Sequence, residues 1–217
     1  MDLPVKVVEL DGQRSYRPYL LHLMGWTEEQ YFKEAPEMWF VEFEDGELIV
    51  HSPVHVSHQQ LVRFLTFLLQ GVVRFRNLGE VLNGPAVVRL RPSLNYEPDI
   101  FVVPAAQLNR LSDQHFGGVP ALVVEVISPS TRTYDLRTKA VNYCAHGVPE
   151  YWAVDPEQQT LHQHLLPNDP SAPYLVATHM DGRLESQAIA AFWIDVGWLW
   201  QDPLPSELDC LSQILRR

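Results

Sequence analysis

Residues 120–156, PALVVEVISPSTRTYDLRTKAVNYCAHGVPEYWAVDP, put an acidic side chain where a chain least tolerates one. Residues 121–127 form a short, valine-rich apolar run, the pattern of a strand covered on both faces. Glu125 stands in the middle of it. A carboxylate there loses most of its hydration and keeps its charge only if a cation meets it. Ser128-Pro129-Ser130 breaks the strand, a helical pattern then carries Asp135 and Lys139, and a second apolar strand covers 150–154. A buried acid, a loop and a helix returning a lysine toward that acid make a site-like arrangement. The rest of the chain must supply its partners.

A chain of 217 residues suits one domain, with no internal repeat and no low-complexity tract. It has no run of eighteen apolar residues, so a transmembrane helix is not expected. MDLPVKVVELDGQ lacks the charged start and long apolar core of a secretory signal. Cys144 and Cys210 fit neither a disulfide framework nor a zinc pattern. The expectation is a soluble, cytoplasmic protein. Net charge is −11, which argues against a nucleic-acid partner until its distribution is considered. Residues 1–50 carry 4 basic and 11 acidic side chains, residues 51–140 carry 9 and 6, and residues 141–217 carry 3 and 10. The segment holding Glu125 is the only basic one. Acidic flanks weaken nonspecific phosphate binding without forbidding a local contact, and an ordinary solvated surface accounts for the same charges.

Thr27-Glu28-Glu29-Gln30 matches a capping box, predicting a short helix to about Glu34. Residues 38–43 and 47–51 flank Glu44-Asp45-Gly46, which reads as a β-hairpin turn. Ser57 is the expected cap of a long helix, because Leu61, Phe64, Leu65, Leu68, Leu69 and Val72 recur at threes and fours. Strands are expected over 80–82, 86–90 and 100–103, with a turn over 92–96. A short helix over 105–111 and a polar loop over 112–118 follow. Strands over 160–166 and 174–179, a hairpin turn at Asp181-Gly182, a patch of Trp193, Trp198 and Trp200, and a helix over 206–215 complete the reading.

Asp99 follows Pro98 at the mouth of an apolar strand, in EPDIFVV. If that strand and the one holding Glu125 share a sheet, the two carboxylates lie side by side. Two such oxygens, a backbone carbonyl and several waters form an ordinary magnesium site, whereas without a metal the pair repels and one member keeps its proton. Lys139 falls on the flank of an apolar stripe with Leu136, Ala140 and Tyr143. Spacing alone favours a packed stem with the ammonium snorkelling outward and pairing with Asp135. His51, His55 and His58 cluster in sequence without the Cys or acid pattern of a zinc site. His162 and His164 share one face of an outer strand and read as surface, and Cys144 reads as a small core residue.

EPD at one strand, then VEVISPST, DLRTK and GVPEYWAVDP, together with EFEDGEL, Ser52-Pro53 and His58 upstream, resemble the "putative restriction endonuclease" family of the PD-(D/E)XK nuclease superfamily. The likeness covers roughly residues 38–180. It implies an α/β (α+β) restriction-endonuclease-like fold, a mixed central sheet flanked by helices with extra hairpins. A single domain over 1–217 would then have an N-terminal arm over 1–37 and a Trp-rich tail over 190–217. The implied activity is magnesium- or manganese-dependent cleavage of DNA, with Asp99, Glu125 and the backbone carbonyl of Ile127 as metal ligands. One departure stands out: Ile127 occupies the position two residues after the second acid, where the superfamily places a lysine. The resemblance makes Lys139, on the following helix, its replacement. Glu42 matches a family acid on the first hairpin, although an exposed hairpin glutamate accounts for it equally well, and His58 and Asp135 are candidate supporting residues.

The fold analogy also implies a homodimer through residues 160–179 and the Trp-rich tail. Two alternatives stay open: a nuclease fold without turnover that binds nucleic acid or a protein partner, and a metal-dependent hydrolase of another phosphate ester.

Overall fold

The computed structural model describes residues 19–35, 40–169 and 171–216. Most of the expected N-terminal arm, and the start of the 38–43 strand, lie outside them. The elements run β1 (Leu20–Met24), α1 (Glu28–Glu34), β2 (Val41–Glu44), β3 (Glu47–His51), α2 (Val56–Phe75), β4 (Gly79–Asn83), β5 (Val88–Arg91), β6 (Leu94–Tyr96), β7 (Ile100–Pro104) and β8 (Leu122–Val126). A π-helical segment, Tyr134–Lys139, leads directly into α3 (Ala140–Ala145). Then come β9 (Glu150–Asp155), β10 (Thr160–Leu165), β11 (Leu175–His179), β12 (Arg183–Glu185), β13 (Trp193–Asp195) and α4 (Glu207–Leu215).

Two sheets organise these elements. The larger has the order β11-β10-β9-β8-β7-β4, and the smaller β1-β3-β2-β6-β5. Among the described strands, only β8 and β9 pair in parallel. A parallel pair needs a crossover, and residues 127–149 supply it through the π-helical segment and α3. Both strands are buried along their whole length, hence their near-continuous apolar sequence. On one face of the large sheet, Leu122, Val124, Val126, Trp152 and Val154 pack with α2 and Ile214 of α4. On the other, Val123, Ile127, Tyr151 and Ala153 pack with Tyr143, Tyr134 and the smaller sheet's Tyr96 and Ile49. Glu125 shares this second face, because strand side chains alternate.

Thr27 forms the expected capping box with Gln30. The β2–β3 turn has Asp45 and Gly46 at φ 46° and 94°, a hairpin geometry that glycine eases. Several expectations need correction. The long helix starts at Val56 with His55 in the cap position and no side-chain cap bond, so Ser57 lies inside its first turn. Residues 94–96 are strand rather than turn, because Leu94 and Tyr96 are fully buried and the reversal is confined to Pro92-Ser93, with Ser93 at φ 64°. Asp181-Gly182 closes no hairpin with β11, since β12 pairs instead with β13. β1, which no sequence signal announced, adds a strand beside β3. His164 is buried, 5.0 Å from the Tyr151 ring, rather than on the surface.

Candidate active site

Asp99 and Glu125 meet because β7 and β8 are antiparallel neighbours with Ile100 opposite Val124. One step further along that register sets Asp99 against Glu125. Each carboxylate is bound by the other strand's backbone. The Asp99 N–H donates to Glu125 Oε2 at 3.2 Å, and the Val126 N–H donates to Asp99 Oδ2 at 2.7 Å. His58, in the first turn of α2, brings Nε2 to 3.2 Å from Asp99 Oδ2. Tyr143 of α3 donates its hydroxyl to Glu125 Oε1 at 3.0 Å.

Lys139 does not snorkel. Its side chain is 2% exposed, and Nζ lies 2.8 Å from Glu125 Oε1, 2.8 Å from Glu42 Oε1 and 3.6 Å from Asp135 Oδ1. Tyr96 and Tyr134 present ring faces to it at 5.5 and 5.6 Å. Three carboxylates and two aromatic rings outweigh the solvation that an outward ammonium would keep. Glu42 is likewise fully buried, not an exposed hairpin residue. It accepts the Glu97 N–H at Oε1 and meets His51 Nε2 at 3.0 Å. In β2, Val41 and Phe43 turn toward α1, and Glu42 and Glu44 turn inward against the second layer. The site therefore lies between the sheets. Glu42 comes from one sheet, Asp99 and Glu125 from the other, and Lys139 and Asp135 from the crossover.

The charges do not balance there. Burial pushes the Glu125 carboxyl up, Lys139 opposes the rise, and Asp135, Asp99 and Glu42 add to it, leaving it well above the usual carboxylate range. Burial likewise raises Asp135. Burial also works against Glu42, but Lys139 and His51 outweigh it and hold the acid at about 2. Burial pulls Lys139 down, and Glu125, Glu42 and Asp135 more than reverse it, so the ammonium stays charged. Glu97 is driven up to about 8, first by burial. His58 is lowered by burial but ends above its ordinary value through its bond to Asp99.

One ammonium among this many acids leaves an unmet demand for positive charge, which is the condition a divalent cation relieves. The donors are oxygens, as Mg²⁺ or Mn²⁺ requires. The cleft, lined by Glu97, Asp99, Glu125, Asp135 and Lys139 among others, encloses a cavity of about 40 Å³. That is room for an ion with a few waters. Among the described residues, no three His, Cys, Asp or Glu side chains gather as a ready metal cluster. A cation at Asp99 and Glu125 would therefore need backbone and water oxygens as well. Ile127 is buried between the lining residues Val126 and Ser128, and its N–H donates to the Val154 carbonyl at 2.7 Å. His51 and His58 face different carboxylates, and His55 is exposed at the start of α2. Sequence reasoning missed Glu97 and the hydroxyl of Tyr143 as site residues. Tyr143 follows Lys139 by four residues, the one spacing that hinted at it.

The family model for Uma2, described as "Putative restriction endonuclease", matches residues 28–197. The chain belongs to this family. Among solved structures, a protein described as a putative nuclease belonging to DUF820, from Anabaena variabilis ATCC 29413, superimposes with a TM-score of 0.64 at 16% identity. The match covers 81% of this chain and 97% of the Anabaena protein, so the two share a fold. No curated protein matches. No helix among the described residues is long and apolar enough to cross a membrane.

Proposed function

We propose that this chain is a divalent-metal-dependent endonuclease that hydrolyses phosphodiester bonds, with DNA as its substrate. The observation that carries the reading is the convergence of Asp99, Glu125 and Lys139 on one cleft from three separate segments. Asp99, Glu125 and the Ile127 carbonyl would hold Mg²⁺ or Mn²⁺, which supplies a water of lowered pKa and positive charge opposite the phosphate. His58 and the Val126 N–H fix the Asp99 carboxylate, and Tyr143 and the Asp99 N–H fix that of Glu125. Lys139 keeps its proton and presents it to the attacking water or a phosphate oxygen, with Glu42 and Asp135 holding it in place. Hydrolysis joins the water oxygen to phosphorus and breaks the bond to the leaving sugar oxygen, which departs with a proton. A homodimer in the cytoplasm completes the proposal. A monomeric mass by light scattering would remove that last element.

One observation favours a second reading, a nuclease fold that binds without cutting: Lys139 is buried and already engaged by three carboxylates. Calorimetric titration with Mg²⁺ and Mn²⁺, with plasmid nicking on the same samples, separates the two. Saturable metal binding and nicking, both lost in Glu125→Gln, support the nuclease. Metal binding without nicking supports the second reading, and a folded protein that binds no metal removes the metal-dependent one.

A further inference from the structure

The cleft opens, past Asp99 and Phe40, into a second groove of about 330 Å³ along the outer face of α2. Gln59, Arg63, Phe67 and Gln70 form its helical wall, facing the Asn83–Gly84 turn. That turn is fixed: Asn83 Nδ2 donates to Thr66 Oγ1 at 2.7 Å and to the Asp99 carbonyl at 2.9 Å. Gly84 seats the Phe40 ring so closely that a Cβ there would stand 2.9 Å from ring carbon Cε1. Phe40 is thus held at the junction of cleft and groove. Phe67, one helical turn beyond Arg63, is 38% exposed, an aromatic side chain left in solvent beside the candidate site.

The charges of these two connected spaces are unsuited to a duplex. Among the described residues, Arg63 and Lys139 are the only arginine and lysine lining them, and the cleft's His51 and His58 are each paired with a carboxylate. Lys139 is buried among carboxylates, and Arg63 lies 3.3 Å from Glu207. Duplex binding draws its affinity from several lysine or arginine contacts to phosphates and weakens steeply with salt. Stacking of unpaired bases on aromatic rings contributes through the ring faces rather than through cations, enough for roughly a several-fold to hundredfold effect per base. We infer that the groove takes an unpaired nucleic-acid strand. Its bases stack on Phe67 and Phe40, the amides of Gln59 and Gln70 meet base edges, and the strand delivers a phosphate to Asp99 and Glu125. The inference rests on the nuclease reading for its destination, and on the groove alone for its substrate class.

The test is fluorescence anisotropy with labelled oligodeoxyuridylate, oligouridylate and a mixed-sequence DNA duplex of equal length. The whole chain is used, with Ca²⁺ in place of Mg²⁺ to hold off cleavage, over a range of salt. A single strand should bind more tightly than the duplex, with a log–log salt slope of about −0.7, the value for one phosphate contact on a single strand. The two homopolymers decide between DNA and RNA as the source of that strand. Phe67→Ala, at an exposed position, should fold normally and weaken single-strand binding about tenfold. Equal or tighter duplex binding with a slope of several, no effect of Phe67→Ala, or no binding to any of the three would each overturn the inference. Single-strand binding as expected with no cleavage in Mg²⁺ would leave the groove standing and remove the nuclease. Nicking that is indifferent to Phe67 would do the reverse.

Discussion

Replacing Lys139 with methionine keeps the shape of the side chain and removes its charge. The variant retains Glu42, Glu125 and Asp135 in their buried positions, with oxygens that stood 2.8, 2.8 and 3.6 Å from the ammonium. Breaking one buried ion pair by removing a partner costs about 3–5 kcal/mol, because the remaining charge has no countercharge. With several acids stranded, the upper part of that range applies near neutral pH. For a domain of this size that is a fall in Tm of roughly 10–20 °C. The deficit should also depend on pH. In the natural protein Glu42 is held at about 2 against an ordinary 4.5. Its contribution to stability is therefore present above 4.5 and lost as the pH falls toward 2. In the variant, Glu42 keeps only His51 against burial, so its folded-state pKa rises and its stabilising contribution above 4.5 shrinks. The gap between the two proteins therefore narrows as the pH falls. Thermal melts by circular dichroism across the acid range measure this directly, and adding Glu42→Gln to the variant should recover part of the loss. Tm values that agree near neutrality, or a gap of constant size at every pH, would refute the electrostatic account of the buried lysine.

Other perturbations address separate parts of the structure. Asp99→Asn should leave the fold intact and reduce nicking by roughly a hundredfold or more, measured under saturating metal and substrate; activity within a few-fold of the natural protein would remove Asp99 from the chemistry. Glu97, raised to about 8 by burial, costs nothing below its ordinary 4.5 and progressively destabilises as pH rises toward 8. Glu97→Gln should therefore flatten stability over that window, read from urea midpoints. Glu150 is fully buried and accepts from Trp152 Nε1, Gln163 Nε2, the Ser186 hydroxyl and the N–H groups of Gln187 and Ala188. Glu150→Ala strands these donors and should cost about 3–5 kcal/mol, with faster hydrogen exchange at Gln187 and Ala188 than elsewhere. Gly79→Ala places a Cβ 1.9 Å from the Val103 carbonyl oxygen at φ +150°, and a loss below about 1 kcal/mol in thermal melts would contradict that geometry.

Much of the fold was legible because its signals are local. The Thr27 capping box, the Asp45-Gly46 turn and the apolar stripe of α2 each depend on residues a few positions apart, and each stands where expected. Asp99 and Glu125 were legible as a pair for a different reason: each marks an apolar strand, and one register step joins them. What escaped depended on the second layer. VEFE in β2 has the alternation of a half-exposed strand, and nothing local says which face meets water. The smaller sheet turns the acidic face inward, so Glu42 is buried and Glu44 accepts from Tyr96, Tyr134 and Asn142. The spacing of Lys139 was misleading in the same way. An i−4 aspartate usually signals a surface pair, yet here the pair is itself buried.

The lysine's place on the crossover follows from the same arrangement. Residues 125 and 127 share one face of β8, so a lysine two positions after Glu125 would lie beside it. Ile127 occupies that position and packs against the tyrosine cluster instead. The demand for positive charge at Glu125 remains and must be met from another element reaching the same face. The crossover between the parallel strands is obliged to lie on a face of the sheet, and its π-helical segment ends at Lys139, with Nζ 2.8 Å from Glu125. A π-helical stretch in such a place commonly marks a functional site. Position in space, set by strand pairing and the crossover, thus determines which lysine serves the acid. On this argument Ile127→Lys in the Lys139→Met background should restore part of the lost stability, because it returns an ammonium to the same carboxylate face. If melting temperatures stay at the level of Lys139→Met alone while the protein remains folded, the claim that the face rather than the helix is what matters would fail.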